Sequence, residues 1–288
     1  MQIISNYELG KRTTFKIGGI ANNFYIPNNE KELIDVAEKV WKNEGNICIL
    51  SGGSNLLIND SKKFESVISM ENACTNLTYL GEGKFYVGAS NRIQEVISFF
   101  NDNGYGGFEK LIGLPAMFGG IIYMNAGIGG RKKPVFTIGD FVKSVKALDL
   151  ESGEIVNLSK EQCLFGHRSS RFQNGHYVIL GANIIGREID KEEAKKIINE
   201  RLQYCKDNFE YGNGCFGTCF SKCNSVILKT IALLIRGYGG IFFGKRNKNW
   251  LVNNGTGTYK DAMKLINVCK TVHHLLCQPI ECEVQVWK

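Results

Sequence analysis

Between residues 104 and 130 the chain is dense in glycine, yet the residues in between are mostly apolar: Phe108, Leu111, Ile112, Leu114, Met117, Phe118, Ile121 and Ile122. Glycine lacks a Cβ, so it permits unusual backbone angles and close approach of the backbone to a neighbour. Flexible linkers are polar. A stretch both glycine-dense and apolar is therefore expected to be packed. Its centre, residues 113–127, reads Gly-Leu-Pro-Ala-Met-Phe-Gly-Gly-Ile-Ile-Tyr-Met-Asn-Ala-Gly. Small residues in this pattern let the backbone lie against a flat or extended ligand. The alternative is a glycine-rich loop with a helix behind it. The apolar filling favours the ligand.

The flanking pattern is mixed. Residues 3–7 and 24–27 read as strands, the second stopped by Pro27. Asn28 or Asn29 caps a helix over 30–43, in which Leu33, Ala37 and Val40 recur at i, i+4, i+7. A strand over 46–50 runs into Ser51-Gly52-Gly53-Ser54-Asn55, followed by Leu56-Leu57-Ile58. Residues 64–89 alternate like strands, with turns at Gly81 and Gly83. Helices are expected over 92–103, 190–207, 226–235 and 258–276, and strands over 142–150, 177–185, 249–253 and 280–287. Helices and strands in separate blocks indicate an α+β fold. A chain of 288 residues exceeds what one core usually fills. A boundary is expected near residue 187, where a charged helix begins.

Composition excludes several classes. No stretch approaches the ~18 apolar residues of a membrane helix. The first residues, Met1-Gln2-Ile3-Ile4-Ser5-Asn6, show no export signal. A cytoplasmic protein without membrane insertion is expected. Ten cysteines in such a chain read as thiols rather than disulfides. Cys215, Cys219 and Cys223 are spaced by four, but Gly214 and Gly217 argue against a helix there, and no histidine is near. Incidental thiols are the better reading, and no metal is expected. The net charge of +7 suits an anionic ligand and equally suits an ordinary solvated surface. No basic run interleaved with aromatics marks a nucleic-acid face.

The loop from Ser51 to Asn55 has two readings of equal weight. It is a plain turn after a strand, or an anion-binding concavity of backbone N–H groups with side-chain donors from Ser54 and Asn55, for which a pyrophosphate is the natural guest. Gly212-Asn213-Gly214-Cys215-Phe216-Gly217 matches G-x-G-x-x-G in letters only. It follows no hydrophobic strand, and no acidic residue stands some twenty positions on, so a Rossmann site is rejected.

Taken in order, six segments resemble one family, the UDP-N-acetylenolpyruvoylglucosamine reductases. They are Thr13-Thr14-Phe15-Lys16-Ile17-Gly18-Gly19-Ile20-Ala21; Ser51 to Leu57; Leu111 to Gly127; Phe165-Gly166-His167-Arg168-Ser169-Ser170-Arg171-Phe172; Gly217-Thr218-Cys219-Phe220; and Ile280-Glu281-Cys282-Glu283-Val284. The resemblance implies a two-part FAD-binding module of the vanillyl-alcohol-oxidase (PCMH) class plus a C-terminal α+β substrate domain, with divisions at 1–72, 73–186 and 187–288. The short stretch from Phe172 to Gly217 is similar to the family's second, shorter type. The implied cofactor is FAD, with NADPH as co-substrate, a UDP-sugar as substrate, and a monomer.

The same resemblance implies site residues. Ser51, Gly52, Gly53, Ser54, Asn55, Gly113, Gly119, Gly120, Asn125 and Ala126 are expected at the cofactor. Arg168, Thr218 and Glu283 are expected to be catalytic. Arg168 suits a developing enolate because its guanidinium stays charged and grips a carboxylate at two points. Thr218 stands where the family has serine as proton donor, with Cys219 as a neighbouring donor. Lys222 and Asn249 are expected at the substrate, with Lys229 and Lys245 as further diphosphate contacts. The sequence departs from the family at His167 (tyrosine), Ala116 (glycine) and Ser221-Lys222-Cys223-Asn224, where K-N-P is usual. These departures leave two other readings open: an FAD oxidoreductase of the same fold with another substrate, or a non-catalytic flavin- or nucleotide-binding descendant.

Overall fold

The structure is a computed structural model and describes residues 1–130, 133–210 and 212–288. The chain forms two compact units. The first comprises Met1–Ile4, Asn23–Gly52 and Ser66–Tyr204; the second comprises Ser5–Asn22, Gly53–Glu65 and Cys205–Lys288.

The first unit is built on a five-stranded antiparallel sheet. Its order is Ile155–Ser159, Val142–Asp149, Tyr177–Ile185, Lys84–Gly88, Leu77–Gly81. Tyr177–Ile185 is central, and Ala182 stands opposite Val145 on one side and Val87 on the other. Its near-continuous burial explains a sequence that is apolar but for Asn183. Helix α1 (Glu30–Glu44) buries Leu33, Val36, Ala37 and Val40. The Asn29 side chain accepts the Glu32 N–H at 2.9 Å, and Gly45 ends the helix in the left-handed conformation. Helix α2 (Ile93–Asp102) starts where the Glu95 carboxylate accepts the Arg92 N–H at 3.1 Å. It buries Ile93, Val96, Ile97 and Phe100. Phe85 stacks on Phe100 with centroids 3.7 Å apart, and Phe100 meets Phe108 edge-on at 5.0 Å. This aromatic file forms the middle of the first core.

The glycine-dense segment contains a helix, α3 (Phe118–Tyr123), which periodicity does not reveal because two of its six residues are glycines. A further sheet pairs Cys48–Leu50 in parallel with Lys63–Ser69, Leu50 standing opposite Ser69. Helix α4 (Lys191–Asn208) is polar and charged, as its sequence indicates.

The second unit combines helices α5 (Ser225–Ile235) and α6 (Tyr259–Leu275) with a four-stranded sheet of order Gly214–Thr218, Trp250–Asn253, Ile241–Phe243, Gly237–Tyr238. Its core gathers Phe15, Leu57, Phe216, Leu251, Leu265 and Ile266, with Phe15 and Phe216 rings 4.4 Å apart. Buried His273 ties the two helices. Its Nδ1 lies 2.7 Å from the Cys269 carbonyl, and its Nε2 accepts the Asn224 N–H at 3.1 Å. The expected single strand over 280–287 is two pieces. Glu281–Cys282 pairs antiparallel with Phe220–Lys222, and Gln285–Trp287 pairs parallel with Leu56–Ile58. The break arises because the N–H groups of Glu283 and Val284 both turn to the Cys219 carbonyl, at 2.8 and 3.5 Å.

Truncating the central aromatic, Phe85→Ala, is expected to cost about 3–5 kcal/mol by loss of packing and the cavity left behind. Urea unfolding followed by circular dichroism measures this; a loss under about 1 kcal/mol would contradict the packing described.

Candidate functional site

In the first unit the candidate cofactor residues line one backbone-rich region. Ser51 and Gly52 follow the strand Cys48–Leu50. A Cβ on Gly52 would lie 3.2 Å from both the Met117 nitrogen and the Pro115 carbonyl oxygen. Gly119 is held against Ala89: its N–H donates to the Ala89 carbonyl at 2.8 Å, and a Cβ there would sit 3.0 Å from the Ala89 side chain. Phe118 donates to the Asn91 carbonyl at 2.8 Å. These bonds fix the start of α3. Gly113 ends a short 3-10 turn, and the Gln94 side chain fastens the carbonyls beside it, Ile112 at 2.8 Å and Leu114 at 2.7 Å.

Gly120 presents a different face. The nearest heavy atom to a Cβ built there is the Ser51 Oγ, at 3.4 Å. That hydroxyl is buried with no protein hydrogen-bond partner. A buried hydroxyl without a partner is costly. Next to an open glycine face it fits a ligand that brings its own polar oxygen, such as a phosphate of FAD.

Asn125 is a buried residue at φ +43°. Its Nδ2 donates to the Gly166 carbonyl at 2.8 Å, and its Oδ1 accepts the Gly139 N–H at 3.0 Å. Ala126 accepts the Ile138 N–H at 2.8 Å. Asn125 thus holds the loop that carries Arg168. Arg168 itself has φ +56°, an uncommon conformation for a residue with a side chain. Its Nη2 donates to the Gly127 carbonyl at 2.9 Å, and its own carbonyl accepts from Gln173 at 3.1 Å. Ser170 and Gln173 both donate to the Tyr123 carbonyl, at 2.7 and 3.1 Å. The supporting roles of Ser170 and Gln173 have no signal in the spacing of the sequence, because they act through carbonyls far along the chain.

The second unit holds the remaining residues. Gly53 adopts φ +62°, and a Cβ there would overlap the Arg12 carbonyl oxygen, so only glycine fits. Its own carbonyl accepts the Thr14 N–H at 3.1 Å. Ser54 follows it in the same turn. Asn55 bonds the terminal segment twice: its Nδ2 donates to the Glu283 carbonyl at 3.1 Å, and its carbonyl accepts the Gln285 N–H at 3.0 Å. Thr218 ends the strand Gly214–Thr218, opposite Trp250. The Glu283 N–H donates to the carbonyl of the next residue, Cys219. Thr218 and Glu283 are therefore brought to one place by the backbone. Asn249 stabilises that place. Its Oδ1 accepts the Phe220 N–H at 3.0 Å, its Nδ2 donates to the Phe220 carbonyl at 2.8 Å, and its carbonyl accepts the Cys219 N–H at 2.8 Å. The expectation placed this amide on substrate; the structure shows it engaged with backbone. Lys222 forms an exposed ion pair with Glu281 at 3.2 Å.

The cysteines are not a chemical centre. Cys215 lies in a strand, Cys219 is buried in the second core, and the three do not share a helical face. None of the ten cysteines is in a disulfide. Among the described residues no group of three or more His, Cys, Asp and Glu is placed to hold a metal ion. Burial pushes the Cys215 thiol up to about 11 and Cys269 to about 12, and raises Cys219 well above the ordinary thiol range. All three stay protonated at neutral pH.

Comparison with known proteins gives this geometry a context. Residues 21–159 match a family model described as an FAD binding domain. UDP-N-acetylenolpyruvoylglucosamine reductase of Lachnoclostridium phytofermentans is 28% identical over 273 residues, covering 92% of this chain and 86% of its own. The enzyme of that name from Thermotoga maritima is 29% identical, covering 97% of each chain. The crystal structure of the Thermus caldophilus reductase (MurB) superposes with a TM-score of 0.78 at 23% identity, covering the whole of both chains. The likeness to UDP-N-acetylenolpyruvoylglucosamine reductases runs along more than nine-tenths of the chain. The fold expected from the sequence, α+β with an FAD-binding module of the PCMH class, is borne out, and FAD is the cofactor that the match over residues 21–159 supports.

Two outcomes follow from the site. Gly120→Val is expected to fold, since no backbone stands in the way, but to lower flavin retention about tenfold by filling the space beside Ser51. Flavin absorbance per mole of folded protein measures this, and full retention would remove Gly120 from the cofactor face. The thiols give a pH dependence. In the unfolded chain they ionise near 9.0, and in the fold Cys215 and Cys269 hold their protons to about 11 and 12. The native state thus binds more protons above pH 9, so stability is unaffected by these thiols below that pH and falls as pH rises through the 9 to 11 range. Urea midpoints across pH 8–11, compared with a Cys215→Ala variant, test the sign.

Proposed function

We propose that this protein reduces the enolpyruvyl ether of UDP-N-acetylglucosamine to UDP-N-acetylmuramate, a step of peptidoglycan precursor synthesis, using FAD and NADPH. The observation that carries this reading is likeness to curated reductases of that name along more than nine-tenths of the chain. The pattern of an orphaned buried hydroxyl beside a glycine face supports the flavin half of it.

Reduced FAD, when bound, supplies the hydride that adds to C3 of the enolpyruvyl group. The chain's own residues do the rest. The Arg168 guanidinium binds the substrate carboxylate and offsets the negative charge that develops on it as the double bond is attacked. Its left-handed backbone, its bond to the Gly127 carbonyl and the bond Gln173 makes to its own carbonyl set the direction of that guanidinium before substrate arrives. The Thr218 hydroxyl gives a proton to C2, and the Glu283 carboxylate polarises the carboxylate end of the enol. Asn249 acts through Phe220, fixing the strand end on which Thr218 sits. Lys222, released from Glu281, meets the diphosphate. In this reading Ser51 to Asn55, Gly113, Gly119, Gly120, Asn125 and Ala126 serve the flavin, and residues 1–72, 73–186 and 187–288 divide the labour as two cofactor parts and one substrate part. The protein works as a cytoplasmic monomer of the family's shorter type.

NADPH oxidation that depends on the enolpyruvyl sugar nucleotide tests the reading. Arg168→Ala is expected to lower kcat about 10²–10³-fold with FAD still bound, the usual scale for losing a preorganised charge-stabilising donor. Glu283→Gln is expected to lower it by at least about tenfold while leaving flavin content unchanged. Flavin-replete protein without substrate-dependent turnover would sink the proposal, and near-full rate in either variant would sink that residue's role.

A further inference from the structure

Helix α5 reads Ser-Val-Ile-Leu-Lys-Thr-Ile-Ala-Leu-Leu-Ile and is apolar on both faces. One face packs Leu228, Ile231 and Ala232 into the second core. The opposite face carries Val226, Lys229, Thr230, Leu233 and Leu234, which the 3.6-residue period brings together. It is open to solvent, with Val226 71%, Leu233 72% and Leu234 80% exposed. The Thr230 hydroxyl is satisfied within the helix, donating to the Val226 carbonyl at 3.0 Å. Lys229 is thus the one side chain on this face that seeks a polar partner outside the helix. A helix apolar all round belongs in a core or a lipid phase, and the structure leaves half of this one uncovered.

Further exposed apolar side chains stand near both ends of the helix. At the C-terminal end Phe242, 41% exposed, lies over Gly237, two residues past the helix. At the N-terminal end Asn224 bonds His273 and Gln278, which brings the end of α6 alongside, with Leu275 77% exposed.

Charge indicates what covers this surface. Residues 211–280 contain nine Lys and Arg against a single acid, Asp261. The rest of the chain is nearly balanced, so this stretch supplies the whole net charge of +7. Lys229, Arg236, Lys245, Arg246, Lys260 and Lys264 are exposed. The exposed face of α5 carries Lys229 among its apolar side chains and no acid, and Arg236 caps its end, which matches a surface that is apolar beneath and anionic at its face, a leaflet containing anionic lipid. Eleven residues span about 16 Å, half of a bilayer's hydrocarbon thickness of ~30 Å, so the helix lies along the interface and does not cross it.

We propose that the exposed face of α5, with Phe242 and Leu275 at its ends, is a reversible docking surface for anionic membranes. This inference is independent of the catalytic reading.

Co-sedimentation of the whole flavoprotein with phosphatidylcholine vesicles, with and without about one-third phosphatidylglycerol, tests it. Binding is expected to need the anionic lipid and to weaken when salt rises from about 0.1 to 0.5 M. The double variant L233D/L234D is expected to bind at least about tenfold less while keeping its circular dichroism and flavin content. Equal binding to both vesicle types, or undiminished binding by the variant, would overturn the proposal. So would a dimer in sedimentation velocity that the same variant dissolves, since the face would then belong to a second copy.

Discussion

A carboxamide side chain carries the same donor and acceptor as a peptide group, and this structure uses that equivalence wherever its backbone leaves regular pairing. Buried peptide groups must be satisfied. Asn249 stands in for a neighbouring strand by taking both the N–H and the carbonyl of Phe220. Asn125 joins Gly139 to Gly166, and Asn253 joins the Phe15 carbonyl to the N–H groups of Gly255 and Gly257. Asn55 holds the carbonyl of Glu283. Each replaced bond is worth about 1 kcal/mol net, but leaving its partners bare would cost more. Irregular segments can therefore be as fixed as sheets, and the candidate functional side chains lie on those segments.

Strain is placed where direction matters. Arg168 and Asn125 both adopt positive φ, which residues with a Cβ avoid at a cost of about 1–3 kcal/mol. The first core, with its stacked Phe85 and Phe100, supplies the rigidity that lets such a cost persist. The outcome is a guanidinium whose orientation depends on Gly127, Asn125 and Gln173 rather than on its own rotamer preferences. Proteins hold ligands by such preorganisation, because ordering a side chain at the moment of binding would consume part of the affinity.

Regular elements were legible in the sequence, and their junctions were not. Helix α1 announces itself by the Asn28-Asn29 cap and by its apolar period, both local signals. The central strand Tyr177–Ile185 is visible as a mostly apolar run. Helix α3 is hidden because Gly119 and Gly120 lower its helical propensity, and tertiary contact with Ala89 overrides that preference. The last strand looked continuous because alternation survives a bend; only the turning of Glu283 and Val284 toward Cys219 breaks it. Of the site, the motifs carried Arg168, Thr218 and Glu283 as residue types, whereas the bonds that fix them run between positions as far as 228 residues apart in sequence. No local pattern encodes such pairs.

Each compact unit is drawn from three separate stretches of chain, with the changeovers falling after Ile4, Asn22, Gly52, Glu65 and Tyr204. A gene fragment cut between Ser5 and Lys195 would deliver parts of both bodies and the whole of neither, whereas one that ends at Tyr204 completes the first body but carries two stray pieces of the second. Such an architecture resists shuffling: neither body can be lent to another protein without pieces of its companion, and ribosomal synthesis completes the first interior by Tyr204 while the second waits for the C-terminal strands.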